Sequence, residues 1–392
     1  MVGSKPRMVL RLFVACTALL GGRVMGETEA RGPESGLPRV PVSHRAIAAR
    51  GGGYFPVLVR LKDGRLAAIV RGGAPHLGRA GRLDWIESRD GGKTWTDPRT
   101  VIDGPWDDRN PAFGQMQDGT LVLAYGECHS YDASGNWDPK VGGFDLYYAI
   151  STDGGRTWSE RRPLERGPLG PGCSPYGRII TLRDGTAVMS VYGDVDPRYR
   201  GPIAIPPGAG PDICGLLRSR DKGRTWGEFT LISAAGHNET ALLETRDGRL
   251  LAAMRTVSGQ LDVSESKDGG RTWSSPVRVT GGPEGGWLQH PADLVQLPGK
   301  RIVLFYGNRV APFGVGVMVS GDEGRTWDFG SRALVADDSL HTDCGYPSAV
   351  FVPRGTVVCM YYSVGTASDP GLTSAIALRI ESASLVKSGR RP

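Results

Sequence analysis

Ser88-Arg89-Asp90-Gly91-Gly92-Lys93-Thr94-Trp95 is the first of five copies of one phrase, S-x-D-x-G-x-T-W. The others run Ser151 to Trp158, Ser219 to Trp226, Ser266 to Trp273 and Ser320 to Trp327. In each, the Asp side chain can accept hydrogen bonds from backbone N–H groups of the turn that follows, and the Gly supplies a positive φ. Thr-Trp then enters a strand, because β-branched and aromatic residues suit a half-buried pleated surface. Every copy therefore reads as a hairpin, and a recurrence every 45 to 70 residues is that of a repeat architecture.

A second series is interleaved with the first. Asp63-Gly64, Asp118-Gly119, Asp184-Gly185, Asp247-Gly248, Pro298-Gly299 and Arg354-Gly355 each separate two short apolar runs, the pattern of a tight hairpin. Two hairpins make a four-stranded unit of about 58 residues, and six units account for residues 43–385. The fold class is therefore all-β, a six-bladed β-propeller with four-stranded antiparallel blades. The sixth unit ends before a further phrase can follow. A strand near Val42 to Ala49 is expected to complete its sheet and close the ring, hiding an edge that would otherwise stay open. The phrase itself resembles the Asp-box, or BNR, repeat, which indicates a fold more than an activity.

At the N-terminus, Lys5, Arg7 and Arg11 precede an apolar run from Leu12 to Leu20 and small residues up to Gly26. This reads as a secretory signal over 1–26, too short to span a bilayer, followed by a linker over 27–42 and, after the propeller, a tail over 386–392. A secreted or periplasmic monomer with no membrane span is expected. The formal charge of +6 falls to about +2 once Lys5, Arg7, Arg11 and Arg23 leave with the signal, and no basic stripe or base-stacking platform points to nucleic acid. Five cysteines remain after Cys16, without metal-site spacing; one or two pairs are open to oxidation after export.

Propeller geometry predicts which residues ring the channel mouth, since each innermost strand enters at the end where the next strand leaves. Entries include Tyr54-Phe55-Pro56, Arg109-Asn110-Pro111, Asn238-Glu239, His290-Pro291 and Tyr346-Pro347; exits include Arg71, Glu127, Asp194, Arg255, Arg309 and Tyr362. Arg71, Arg255 and Arg309 share one exit position, and guanidiniums converging there would hold a carboxylate or sulfate through charge-assisted hydrogen bonds. Arg109 either joins them or pairs with Asp107 and Asp108. Tyr346 with Glu239 as its base forms a neutral nucleophile, which suits a substrate whose anomeric carbon carries a carboxylate. His76, His237, His290 and His341 fall in loops near the same mouth; His76 or His290 is the expected proton donor. Asp343, three residues before Tyr346, is placed to orient a neighbour or contact the substrate.

The whole mature chain is similar to the exo-sialidase superfamily. Asn238-Glu239 followed by Arg255 resembles the segment with the family's Glu and second triad Arg; Arg309 resembles the third; Gly345-Tyr346-Pro347-Ser348 resembles the segment with the nucleophilic Tyr. The resemblance implies an exo-α-sialidase-type glycosidase acting on a terminal anionic sugar of a glycan, needing no cofactor or metal. Two places depart from the family. Tyr54-Phe55-Pro56 stands where the family has Arg-Ile-Pro, and the loop Gly73 to Arg79 carries no carboxylate where the family has its acid/base Asp. Another glycoside hydrolase, a uronate lyase using His and Tyr, and a non-catalytic glycan-binding propeller are the alternatives.

Overall fold

The computed structural model describes residues 36–281 and 288–388. The expected secretory signal lies outside the described residues. Within them, twenty-four strands are arranged as six four-stranded antiparallel units. Their innermost strands are Tyr54–Arg60, Asp107–Gln115, Ser174–Thr181, His237–Glu244, Gln289–Gln296 and Cys344–Val352, numbered here as blades one to six. The Asp-Gly turns and their substitutes join first to second strands, and each Asp box joins a third strand to a fourth. Apolar faces of neighbouring sheets interdigitate, as where Trp85 of blade one meets Phe113 and Leu123 of blade two.

Blade six is completed by the beginning of the described chain. His44–Arg50 pairs antiparallel with Asp369–Glu381, from His44 opposite Arg379 to Arg50 opposite Ser374. Just before it, the last residues of the segment expected as a linker are bonded to blade five: Val40 N donates to Leu334 O (2.8 Å), and Leu334 N to Pro38 O (2.9 Å). Val40 is buried among blade-five side chains. The segment expected as a tail begins inside a short helix, Ser382–Ser388.

The Asp boxes are built alike. In the first, Asp90 Oδ1 accepts from Lys93 N (2.9 Å), Thr94 N (3.0 Å) and Ser88 Oγ (2.8 Å), and Oδ2 accepts from Thr94 Oγ1 (2.7 Å). Ser88 Oγ in turn accepts from Gly92 N (2.8 Å). The glycine at the fifth position of each box also presses on the preceding blade. A Cβ on Gly155 would lie 2.7 Å from Trp85, and one on Gly223 2.4 Å from Val122. Gly92, Gly270 and Gly324 meet Val358, Leu216 and Leu251 in the same way.

All five described cysteines, Cys128, Cys173, Cys214, Cys344 and Cys359, are free and buried, so no pair forms among them. Cys128, Cys214, Cys344 and Cys359 lie in strands and Cys173 directly before one, each filled as a small apolar residue. Among the described residues no helix is long and apolar enough to cross a membrane, and no group of three or more His, Cys, Asp or Glu could hold a metal ion.

Candidate functional site

Every innermost strand carries a register shift near its start: between Tyr54 and Val57, Arg109 and Ala112, Tyr176 and Ile180, His237 and Thr240, Gln289 and Ala292, and Gly345 and Ser348. A bulge leaves a residue out of the ladder and re-aims its side chain. Phe55, Asn110 and Tyr346 sit in these bulges at φ of 52°, 51° and 51°, each directly before a proline. Such backbone costs about 1–3 kcal/mol per residue and persists where the surroundings over-determine it.

The bulges bring Tyr346 and Glu239 together from blades six and four. Tyr346 Oη donates to Glu239 Oε1 at 2.5 Å, and Glu239 Oε2 accepts from Arg255 Nη1 at 2.7 Å. Burial, then the Glu239 charge, pushes the Tyr346 phenol up, opposed by Arg255 and Arg309. Proton loss from this phenol therefore runs through Glu239. Arg309 stands over the Tyr346 ring, its Cζ 5.4 Å from the centroid, and its Nε donates to Cys344 O at 3.1 Å. Arg309 Nη2, Arg255 Nε and His290 Nδ1 are buried polar atoms with no hydrogen-bond partner in the structure. Buried polar groups are normally paired; here two guanidiniums whose charges both act on one imidazole keep hydrogen-bonding atoms to spare.

His290 lies beside Arg255 and Arg309, with its Nδ1 buried and unpartnered. Burial, Arg255 and Arg309 all lower its pKa well below the ordinary imidazole value.

His76 is differently placed. Its Nδ1 lies 2.9 Å from both carboxylate oxygens of Asp343, and Asp343 Oδ1 also accepts from Tyr362 Oη at 2.6 Å. Burial lowers the His76 pKa, Asp343 raises it, and Arg109 and Arg309 lower it, for a net downward shift. Asp343 therefore acts on His76, fixing its ring through Nδ1 and leaving Nε2 for a reacting group. The ring packs against Phe55 (5.1 Å between centroids) and Tyr54 (5.5 Å); Phe55 also packs on Tyr346 (4.9 Å). An aromatic wall thus occupies the place where the resemblance called for an arginine.

Arg71 is not a substrate contact. It is fully buried, and its guanidinium donates twice to Asp107 Oδ1 (2.8 and 2.6 Å) and to the carbonyls of Ala74, Pro75 and Gly78. Nothing is left to meet a ligand. Arg109 pairs with Asp107 through Nη1 (3.1 Å), and its Cζ lies 5.4 Å from the Phe55 ring centroid. Asp108 turns away to Gly104 N, opposite Glu127 in the neighbouring strand, where burial pushes its carboxyl up to about 7. His237 is also outside the site, buried between Ser233 Oγ (2.8 Å) and Asp262 Oδ2 (2.9 Å). Asp84 lies within a strand, bonded to Arg82 and Thr100.

A buried ion pair that the sequence analysis does not name crosses the axis. Arg178 of blade three meets Asp293 of blade five (2.6 Å), which also accepts from Ala349 N of blade six (2.7 Å). The signal was present: an Arg and an Asp inside otherwise apolar innermost strands require each other. Tyr362, named only as an exit residue, is the second partner of Asp343.

Residues 107–359 match the BNR repeat-like domain, and the chain belongs to that family, within the sialidase superfamily. It is 27% identical over 299 residues to a sialidase from Micromonospora viridifaciens, covering 70% of this chain and 45% of that protein. The chain thus spans less than half the length of that curated relative. Among solved structures it is similar to a protein of unknown function from Dyadobacter fermentans, with a TM-score of 0.71 and 24% identity over 88% of this chain and 100% of the other. It is also similar to the intramolecular trans-sialidase from Ruminococcus gnavus, with a TM-score of 0.63 and 14% identity over 91% and 99% of the two chains. A Trypanosoma rangeli sialidase mutant displaying trans-sialidase activity gives a TM-score of 0.63 and 16% identity over 90% of this chain and 58% of that one. These three likenesses are of fold.

Proposed function

We propose that this chain is an exo-glycosidase of exo-α-sialidase type, removing a terminal anionic sugar from a glycan after export. The observation that carries the reading is the Tyr346–Glu239 contact of 2.5 Å beside two arginines with unpartnered buried nitrogens. Arg255 and Arg309 hold the sugar's carboxylate, with Arg109 at the edge of the pocket. Glu239 takes the phenolic proton as Tyr346 Oη bonds to the anomeric carbon, and the bond to the leaving oxygen breaks with a proton supplied from His76 Nε2. Water then attacks the same carbon. His76 takes a proton from that water, and Glu239 returns one to Tyr346 as it departs. The neutral phenol avoids the repulsion that a carboxylate nucleophile would meet from an anomeric carboxylate.

The test is turnover of sialosides, uronides and neutral glycosides by the purified mature protein, with Tyr346→Phe as control. Loss of turnover in the variant is expected; unchanged turnover removes Tyr346 as nucleophile. His76 and Tyr346 both pack on the Phe55 ring, and this closeness favours one second reading, a uronate lyase in which His76 abstracts a ring proton and Tyr346 protonates the leaving oxygen. Its unsaturated product absorbs in the short ultraviolet, whereas the hydrolase product does not.

A further inference from the structure

We propose that Arg71 is a positioning residue that sets the loop carrying His76; the inference rests on reading His76 as the proton donor. Arg71 and Asp107 are both fully buried. A buried ion pair costs desolvation on both sides and is retained where its geometry and additional hydrogen bonds are good. Here the remaining hydrogen bonds all go to one loop. Pro75 O lies 2.8 Å from Nη1, Gly78 O 3.1 Å from Nη2 and Ala74 O 3.4 Å from Nη1. The residues on either side of His76 are thus drawn towards a single planar fork of donors.

The loop's return is equally close. A Cβ on Gly81 would lie 1.9 Å from Asp107 Oδ1, and Asp108 N donates to Gly81 O at 2.9 Å. Arg71 therefore pins the backbone of the loop, while Asp343 fixes the imidazole itself. Asp107 is shared, since its Oδ2 accepts from Arg109 Nη1 and from Tyr131 Oη (2.6 Å). One carboxylate thereby ties the donor's loop to the arginine at the edge of the anion pocket. A lysine cannot replace this arrangement, because it offers three donors from one point and not five in a fixed plane.

The deciding measurement is an NMR titration of the His76 imidazole in the full mature protein and in Arg71→Lys, which keeps a cation opposite Asp107. In the wild type, His76 titrates below its ordinary value of 6.5, held there by burial, Arg109 and Arg309 against Asp343. With the loop released, burial is the largest influence lost, and the titration is expected to move up towards 6.5. An unchanged titration overturns the proposal. Should Arg71→Lys fail to fold, Arg71→Gln removes the fork of donors while leaving the Asp107–Arg109 pair in place, and the same upward move of the His76 titration is expected. In parallel, kcat and KM are measured with phenyl and 4-nitrophenyl α-sialosides. A positioning role lowers kcat roughly 10- to 1000-fold on the phenyl glycoside and much less on the activated one, with KM little changed. A rise in KM alone makes Arg71 a substrate contact and also overturns the proposal. His76→Asn separates the two ideas: without leaving-group-dependent loss in that variant, the donor reading fails while the titration still judges Arg71.

Discussion

Tyr346 and Glu239, separated by 107 positions in sequence, meet through a 2.5 Å hydrogen bond across the mouth of the propeller. Glu239 uses its other oxygen for Arg255, so one carboxylate serves as base to the phenol and counter-ion to the anion site. Chemistry and stability should separate here. Tyr346→Phe is expected to abolish turnover while leaving stability to urea within ~1 kcal/mol. Glu239→Ala leaves Arg255 half-buried and unpaired, and should cost about 3 kcal/mol in the same denaturation.

The pH profile should report His76. Donation needs the imidazolium, so kcat/KM is expected to fall as pH rises through the His76 pKa, which lies below 6.5. Asp343 raises that pKa. Asp343→Asn should therefore move the alkaline limb to still lower pH, and a limb that stays in place would detach Asp343 from the donor.

Arg309 makes one hydrogen bond to a backbone carbonyl and keeps Nη2 unpartnered. Arg309→Met should raise KM for an anionic substrate by roughly 10- to 100-fold, the worth of one charge-assisted hydrogen bond. A neutral glycoside, if cut at all, should show no such rise.

Two glycine substitutions should separate backbone strain from crowding. Gly64 has φ of 90° and nothing within 4 Å of the place a methyl group would take, whereas Gly223 has φ of 83° and Val122 at 2.4 Å. Gly64→Ala is expected to cost ~1 kcal/mol. Gly223→Ala adds overpacking of about 1–3 kcal/mol, visible as a clearly larger fall in Tm.

The blades were legible because two hairpin signals alternate through the chain, and each signal is local: Asp with Gly in a turn needs no knowledge of the rest of the fold. Tyr346, Glu239, Arg255 and Arg309 could be grouped because propeller geometry converts strand position into place on the rim. Orientation was not legible. Arg71 shares its strand position with Arg255, yet Asp107 and three carbonyls of the following loop turn it away from the axis. The bulges were equally hidden, since a register shift depends on pairing across the sheet. They decide that Phe55 faces His76 and Tyr346. Arg178 and Asp293 lie on different innermost strands, and only the fold brings them together.

Five Asp boxes serve six junctions between blades. Each box leans on the blade before it, from Gly92 on blade six to Gly324 on blade four, and the junction between blades five and six has none. There the chain beginning at Pro38 is bonded first to Leu334 of blade five and then, from His44, to the edge of blade six. The same short stretch that shuts the ring therefore also acts as the missing sixth clasp. Trimming that removes Val40 should leave the five box-sealed junctions intact and let the propeller open at one predetermined seam.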